Sequence, residues 1–471
     1  MGVIHFGTSG WRARTDEGFD EKSVGSVASA LGLVWGAAAD PGANAIYVGY
    51  DTRRDSERLA LLVAGTLSTF GLAVHVSDAP CPTPALGRAV ALDDSAIGAV
   101  SVTACDLPGE YGGIIVRGAD GGTVSSSFAE RVDEYATTTN AGDMGAFDRV
   151  DLVGPYLDHL ASMVDAEAIG RAGLRVAVDP MHGCGRGIVA ALLGRLGLDV
   201  VELHGESSDD FCGLHPRPVE PWVDDCEQRV SANNCDLGVV LDGDCARAAF
   251  VSERGRLIGP HKTAPLLMEH LVERHGADGR VVMTLPCSAR TMRQAERLDL
   301  ELTAVPVGFA RLHSEVREGD VLLACDEYGG ICFPDHLPER DGILCALYMI
   351  EMVALGGRSL SAAVDDLAEK IGHMYYAHKD VRLDSAALQA FSNLLPGLNP
   401  RQLAGRVPVQ VGHADGMKVT FENDAWVMLR PSRSLPVVRA YAEAESVADR
   451  DDLLAAACDL ARGNVSESVA T

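Results

Sequence analysis

Positive charge is scarce in this chain. Its 40 Lys and Arg stand against 67 Asp and Glu, a formal charge of −27, so most of the surface repels a phosphate backbone and non-specific nucleic-acid binding is excluded. Any anionic ligand needs a local basic pocket. Long apolar runs are missing too: no uninterrupted stretch approaches the length of a bilayer-spanning helix, and no membrane partner is expected. Residues 1–6 hold neither a basic region nor an apolar signal core, so the expectation is a cytoplasmic protein. No C-x-x-C pair occurs among the 12 cysteines, which are diluted over 471 residues; reduced thiols are expected rather than a disulfide scaffold. A low-complexity linker and a strong internal repeat are also lacking. Domain limits must therefore be read from changes in local pattern.

What is present is an alternation of short β-branched runs and longer amphipathic segments. Ile46–Asp51 precedes Ser56–Phe70, Leu72–Ser77 precedes Ala85–Leu92, and Leu174–Asp179 precedes Gly187–Leu196. This rhythm predicts α/β layers, and it returns between Asp236 and Leu298 and between Val321 and Leu367. From about residue 373, Asp380–Leu383, Lys418–Phe421, Trp426–Leu429 and Val437–Glu443 read as antiparallel strands around fewer helices. A chain of this length exceeds one hydrophobic core. The expected organisation is three consecutive related α/β domains, 1–147, 148–252 and 253–372, followed by a smaller C-terminal α+β domain, 373–471.

Four loops carry the residues of chemical interest. In Phe6-Gly7-Thr8-Ser9-Gly10-Trp11-Arg12, glycines allow close approach to an anion and Arg12 offers a bidentate contact. After the apolar strand Ile97–Val100 comes Ser101-Val102-Thr103-Ala104-Cys105-Asp106-Leu107-Pro108. Cys105 there reads either as a nucleophile or acid/base group, if nearby cations stabilise its thiolate, or as a small buried thiol; the adjacent Asp106 opposes ionisation. Leu241-Asp242-Gly243-Asp244-Cys245-Ala246-Arg247 follows another buried strand. Alternate carboxylates of this kind suit a hard cation such as Mg²⁺, although two are fewer than a protein-held Mg²⁺ takes. A softer Zn²⁺ site made by Cys105, Cys245, Asp242 and Asp244 is the alternative ligand set. Finally, Arg430-Pro431-Ser432-Arg433-Ser434-Leu435-Pro436-Val437-Val438-Arg439 clusters hydroxyls and arginines in an acidic protein, which points to an anion.

Taken in order, these segments resemble the α-D-phosphohexomutase superfamily, the phosphoglucomutase and phosphomannomutase group, over nearly the whole chain. Val48-Gly49-Tyr50-Asp51-Thr52-Arg53, Asp179-Pro180-Met181-His182-Gly183, Gly213-Leu214-His215-Pro216-Arg217, Asp326-Glu327-Tyr328-Gly329-Gly330 and Asp341-Gly342-Ile343 extend the likeness between the four loops. The resemblance implies four domains set around one cleft, with a phosphorylated sugar or nucleoside phosphate as ligand. It assigns phosphate binding to Arg12, Arg430, Ser432, Arg433, Ser434 and Arg439, sugar contacts to Ser9, Arg247, Asp326, Glu327 and Tyr328, and a metal to Asp242 and Asp244. The departures are as informative. The family's Thr-Ala-Ser-His-Asn-Pro, whose serine carries the phosphoryl group, is Thr103-Ala104-Cys105-Asp106-Leu107-Pro108 here; the lysine that follows in the family is gone. The third carboxylate of Asp-Gly-Asp-x-Asp-Arg is Ala246. In the sugar loop either Asp326 or, by a register shift, Glu327 takes the family glutamate's place.

These changes remove several terms that stabilise charge in phosphoryl transfer. One expectation is reassigned chemistry, in which Cys105 and Asp106 exchange protons with a phosphorylated ligand to give isomerisation, epimerisation or elimination. The alternatives are a mutase acting through phosphocysteine and a non-catalytic phosphosugar binder.

Overall fold

The computed structural model describes residues 4–40, 42–136, 144–432 and 436–463. Four sheets follow one another along the chain. The first has six strands in the spatial order Trp11–Arg14, Tyr111–Gly118, Ala96–Val102, Ala45–Tyr50, Ala73–Ser77, Asp148–Val150. Its central pairs are parallel and its pairs on the Trp11–Arg14 side antiparallel. Strand Asp148–Val150 pairs in parallel with His75–Ser77, so the first unit ends at least three residues beyond the expected break at 147. The second sheet, Arg256–Ile258, Ala248–Ser252, Leu237–Leu241, Arg175–Asp179, Asp199–Glu202, likewise runs past 252, because the hairpin strand Arg256–Ile258 pairs back on Phe250–Ser252. The third has four strands, Leu302–Val305, Arg280–Thr284, Val321–Cys325 and Ile331–Cys332. The fourth is antiparallel throughout: Tyr375–Arg382, Val437–Ala444, Trp426–Pro431, Met417–Thr420, Gln410–Gly412.

Local chemistry sets the helix starts. Asp20 caps helix Glu21–Gly36 by accepting from the Ser23 amide at 2.8 Å while Ser23 Oγ accepts from the Asp20 amide at 3.1 Å, a reciprocal cap. Asp341 caps Gly342–Gly356, a helix buried on nearly every side, by accepting from the Leu344 amide. Among the described residues no single helix is long and apolar enough to cross a membrane.

The second and third domains share one core. Tyr156 and Leu160 of helix Val153–Ser162 pack in the same cluster as Leu344 and Leu347, and Leu86 of the first domain joins them. Each such side chain contributes about 1.5–3 kcal/mol on full burial, so these domains are not independent beads. The first and fourth domains keep cores of their own. The fourth docks on the third through Trp426, Met428, Tyr441, Met374 and Ala289, and through the fully buried Glu443. That carboxylate accepts from Ser288 Oγ, the Ala289 amide at 2.7 Å and Trp426 Nε1 at 2.9 Å.

Candidate active site

The loop after strand Ala96–Val102 is held from beneath by one residue. Arg53 is 5% exposed, and its guanidinium donates to the carbonyls of Cys105 (2.8 Å), Leu107 (2.6 Å), Pro108 (2.6 Å) and Tyr111 (3.1 Å) while Nε meets Asp51 at 2.9 Å. The arginine thus satisfies carbonyls that a tight loop leaves without ladder partners. Cys105 itself sits at φ 52°, a left-handed conformation, with its amide donating to Thr103 Oγ1. Gly243 of the Asp242–Arg247 loop lies directly against it: a Cβ at Gly243 would come within 2.7 Å of the Cys105 carbonyl oxygen. Only glycine allows the two loops to meet. Helix Thr83–Ala91 completes the contact, with Thr83 Oγ1 donating to Asp244 Oδ2 at 2.6 Å.

Arginines from three domains converge on this turn. Arg12 Nη2 donates to Cys105 Sγ at 3.4 Å, and its Nη1 to the carbonyl of the exposed Ser9 at 3.0 Å. Arg217 Nε donates to Asp106 Oδ2 at 2.7 Å, and Arg247 Nη1 pairs with Asp106 Oδ1 at 3.6 Å. Arg340 lies within electrostatic reach of Arg247 and Cys105 and pairs with Asp326 at 3.4 Å. Arg53, Arg217 and Arg340 were not assigned ligand roles from sequence. Arg217 lies inside a motif and Arg340 beside one, but only the fold brings the first to Asp106 and the second within electrostatic reach of Cys105.

The protonation states follow from these neighbours. Burial, with the Asp244 charge, pushes the Cys105 thiol up to about 12 despite Arg12 and Arg247, so the thiol keeps its proton at neutral pH. Burial alone would raise Asp106, but Arg247, Arg217 and Arg12 hold it well below the usual carboxylate range. One group keeps its proton and the other never takes one at neutral pH. The proton exchange expected of the Cys105–Asp106 pair therefore lacks a group poised near neutrality.

The carboxylate loop offers a Mg²⁺ fewer carboxylates than the family pattern does. Both Asp242 oxygens are taken by Arg247, through its amide (3.0 Å) and Nη1 (2.9 Å), and the third carboxylate position is Ala246. Asp244 Oδ1 is the one unclaimed oxygen of the pair, buried and without a hydrogen-bond partner, where the ion takes near-octahedral oxygen coordination. Burial and the Asp244 charge raise the Asp242 pKa, a sign of crowded negative charge that Arg247 only partly relieves. The Zn²⁺ alternative is not assembled. Among the described residues Cys105, Cys245, Asp242 and Asp244 form no cluster of metal-ligating atoms, and Cys245 Sγ packs beside Gly185 and Leu241 in the second-domain core.

In the sugar-loop region the turn after strand Val321–Cys325 separates the two carboxylates. Asp326 accepts from the Tyr328 and Gly330 amides (2.9 and 2.8 Å) and faces Arg340 and Arg247. Glu327 turns the other way, 3% exposed, accepting from Thr284 Oγ1 at 2.7 Å, and burial beside Asp326 raises its pKa. Asp326, not Glu327, shares the arginine cluster. Tyr328 reaches the fourth domain, its hydroxyl accepting from Arg439 Nη1 at 2.9 Å. Arg430 is paired with Asp415 at 2.7 Å, and Asp415 also accepts from the third-domain Val307 amide. Ser432 donates its amide to the Val437 carbonyl. Arg433 and Ser434 lie outside the described residues.

Residues 3–142, 154–255 and 259–371 match the families described as phosphoglucomutase/phosphomannomutase, alpha/beta/alpha domains I, II and III, in that order. A phosphoglucomutase/phosphomannomutase of Thermococcus kodakarensis is 29% identical over 407 residues, 85% of this chain and 86% of that protein. A phosphoglucosamine/phosphogalactosamine mutase of Sulfurisphaera tokodaii is 26% identical, with 94% and 96% covered. Among solved structures, one from Thermus thermophilus carrying a phosphomannomutase designation superposes with a TM-score of 0.87 at 29% identity, covering 98% of this chain and 99% of its own. The Aspergillus fumigatus N-acetylphosphoglucosamine mutase, solved with GlcNAc-6P and magnesium, shares the fold at a TM-score of 0.62 and 14% identity, with 98% and 96% covered. With three domain families matched in sequence and the four-domain architecture shared, the chain belongs to the phosphoglucomutase/phosphomannomutase family of the α-D-phosphohexomutase superfamily.

Proposed function

We propose that this protein binds a phosphorylated hexose in the cleft between its domains and does not pass a phosphoryl group through residue 105. The observation that carries this reading is the make-up of the 105–106 turn: Cys105 and Asp106 stand where the family has its serine and histidine, and the Asp106 carboxylate is held by Arg217 and Arg247 while Arg12 donates to Cys105 Sγ. The arginines supply recognition of phosphate. Transfer asks for more, namely a nucleophile and cations to neutralise the moving group, and each missing element costs a few kcal/mol, where about 1.4 kcal/mol is tenfold in rate. A hexose phosphate is favoured over a nucleoside phosphate because relatives named for hexose phosphates align over most of the chain. Asp326 and Arg247 at the cleft are the groups we assign to the sugar, and Arg430, Ser432 and Arg439 to the phosphate at the fourth domain.

A second reading, a mutase acting through phosphocysteine, is favoured by one contact: Arg12 donates to Cys105 Sγ, where it would also steady an attached phosphoryl group. One experiment separates the two. After incubation with Mg²⁺ and glucose 1,6-bisphosphate, the proposal expects no phosphate-sized mass increment on the Cys105 peptide and no interconversion of glucose 1- and 6-phosphates, while glucose 6-phosphate binds by calorimetry. An increment together with turnover that Cys105→Ala abolishes establishes the mutase instead; absence of binding overturns both.

A further inference from the structure

Away from the cleft, two histidines and a glutamate meet at the junction of the second and third domains. His270 and His275 lie on the C-terminal part of helix Pro260–His275, and both Nε2 atoms point at one oxygen, Glu351 Oε2 of helix Gly342–Gly356, at 2.6 and 2.7 Å. The Glu351 side chain is 2% exposed. Its other oxygen accepts from the amide of Asp165, the N-cap of helix Ala166–Ala172 in the second domain, at 2.6 Å. The ring of Tyr348 stands edge-on to both imidazoles and, with Phe333 beyond it, makes an apolar wall.

The charge balance is the unusual feature. Both Glu351 oxygens act as acceptors, one toward the two imidazole Nε2 atoms and the other toward the Asp165 amide, which is the hydrogen-bonding pattern of a carboxylate. Among the described residues its ion-pair partners are these two histidines, with no Lys or Arg. A buried carboxylate needs a compensating cation. Here that cation is either a proton on an imidazole or a metal ion. Two imidazole nitrogens with one carboxylate oxygen are a ligand set that Zn²⁺ takes, at about 2.0–2.2 Å from each atom, with a fourth position left for water. The three ligand atoms all lie within 4.8 Å of one another, so one ion can reach all of them. The His275 side chain is 29% exposed, so the cluster meets solvent on that side. The Asp165 amide on the far carboxylate oxygen is the kind of outer hydrogen bond that orients a metal-bound carboxylate.

We propose that His270, His275 and Glu351 form a site for a divalent ion of the Zn²⁺ type, which joins helix Pro260–His275 to helix Gly342–Gly356 within the third domain. The site is independent of the Asp242–Asp244 loop and of the reading given to the cleft. The test uses the full chain carrying Cys212→Ser, since Cys212 is the exposed thiol among the described cysteines. Chelator-treated protein is titrated under reducing conditions with Zn²⁺ by calorimetry and with Co²⁺ by visible spectroscopy. One equivalent is expected, with a four-coordinate Co²⁺ spectrum that lacks a thiolate charge-transfer band, and Zn²⁺ raises the thermal midpoint. His275→Gln keeps a hydrogen-bond donor for Glu351 but is a poor metal ligand: the metal-free variant should unfold near the metal-free parent, bind Zn²⁺ at least about tenfold more weakly, and lose the Zn²⁺-dependent shift. Asp242→Asn should leave all three readouts unchanged. No Zn²⁺ binding, a thiolate band, or binding that His275→Gln does not weaken overturns the proposal in favour of a metal-free hydrogen-bonded cluster of His270, His275 and Glu351.

Discussion

Asp106 occupies the place where an incoming phosphate would find its arginines, and neutralising it should strengthen anion binding. The carboxylate lies 2.7 Å from Arg217 and 3.6 Å from Arg247, and those cations, with Arg12, keep it ionised throughout the neutral range against the pull of burial. Asp106→Asn keeps the size and one accepting oxygen for Arg217 but removes the charge. A phosphate dianion seated among the same arginines at roughly 6 Å from the carboxylate is repelled by about 1.4 kcal/mol even at the dielectric constant of water, which is about tenfold in Kd, and the partly enclosed cleft enlarges the effect. Calorimetric titration of glucose 1,6-bisphosphate, whose second phosphate is set at these arginines while the first is held at the fourth domain, should therefore show at least about a tenfold lower Kd for the variant, a gap that narrows as salt is added. The ion pair given up contributes about 1 kcal/mol or less to stability, since Arg217 is 35% exposed. Equal or weaker binding by Asp106→Asn would refute the argument that this carboxylate competes with phosphate.

Three further outcomes are expected. Buried thiols make the fold sensitive to alkali: Cys81 and Cys105 are both pushed up to about 12 by burial, so above an unfolded pKa of about 8.5 the unfolded chain sheds protons that the folded chain retains, and each thiol removes about 1.4 kcal/mol per pH unit. Lys418, pushed down to about 8 by burial, works in the opposite sense up to its unfolded pKa. Urea midpoints under reductant should thus fall from pH 8.5 to 10, less steeply in Cys105→Ala and more steeply in Lys418→Met; a flat profile contradicts this. Arg53→Met strands Asp51 and four carbonyls and should cost about 3–5 kcal/mol, with hydrogen exchange rising at residues 105–111; a loss under about 1 kcal/mol shows that the loop holds itself. Glu443→Ala leaves the donors of Ser288, Ala289 and Trp426 without their acceptor, and should destabilise by about 3 kcal/mol or more while loosening the fourth domain, visible as an increased radius of gyration; an unchanged midpoint and radius would count against the docking role.

Much of the architecture was legible because it is written in local pattern. The buried run Leu237–Leu241 followed by Asp242-Gly243-Asp244 announces a strand ending in a polar loop, and Cys105 stands after its strand for the same reason. The breaks at 147 and 252 were displaced by the short strands Asp148–Val150 and Arg256–Ile258, whose pairing partners lie elsewhere in the sequence and whose own three residues carry little signal. The two candidate positions in the sugar loop are separated only by the turn after strand Val321–Cys325 in place, which sends Asp326 to the arginines and Glu327 to Thr284.

The sequence by itself determined the α/β rhythm, the four-part order, the family likeness and the loss of serine, lysine and third carboxylate, because each is a matter of residue identity at a fixed spacing. The tertiary structure decided what those residues do to one another. Arg53 reaches Cys105 across 52 positions, Arg217 reaches Asp106 across 111, and His270 reaches Glu351 across 81. A pKa depends on burial and on charges a few ångströms away, so the raised pKa of Cys105 and the lowered pKa of Asp106 exist only once the first and second domains have closed around them.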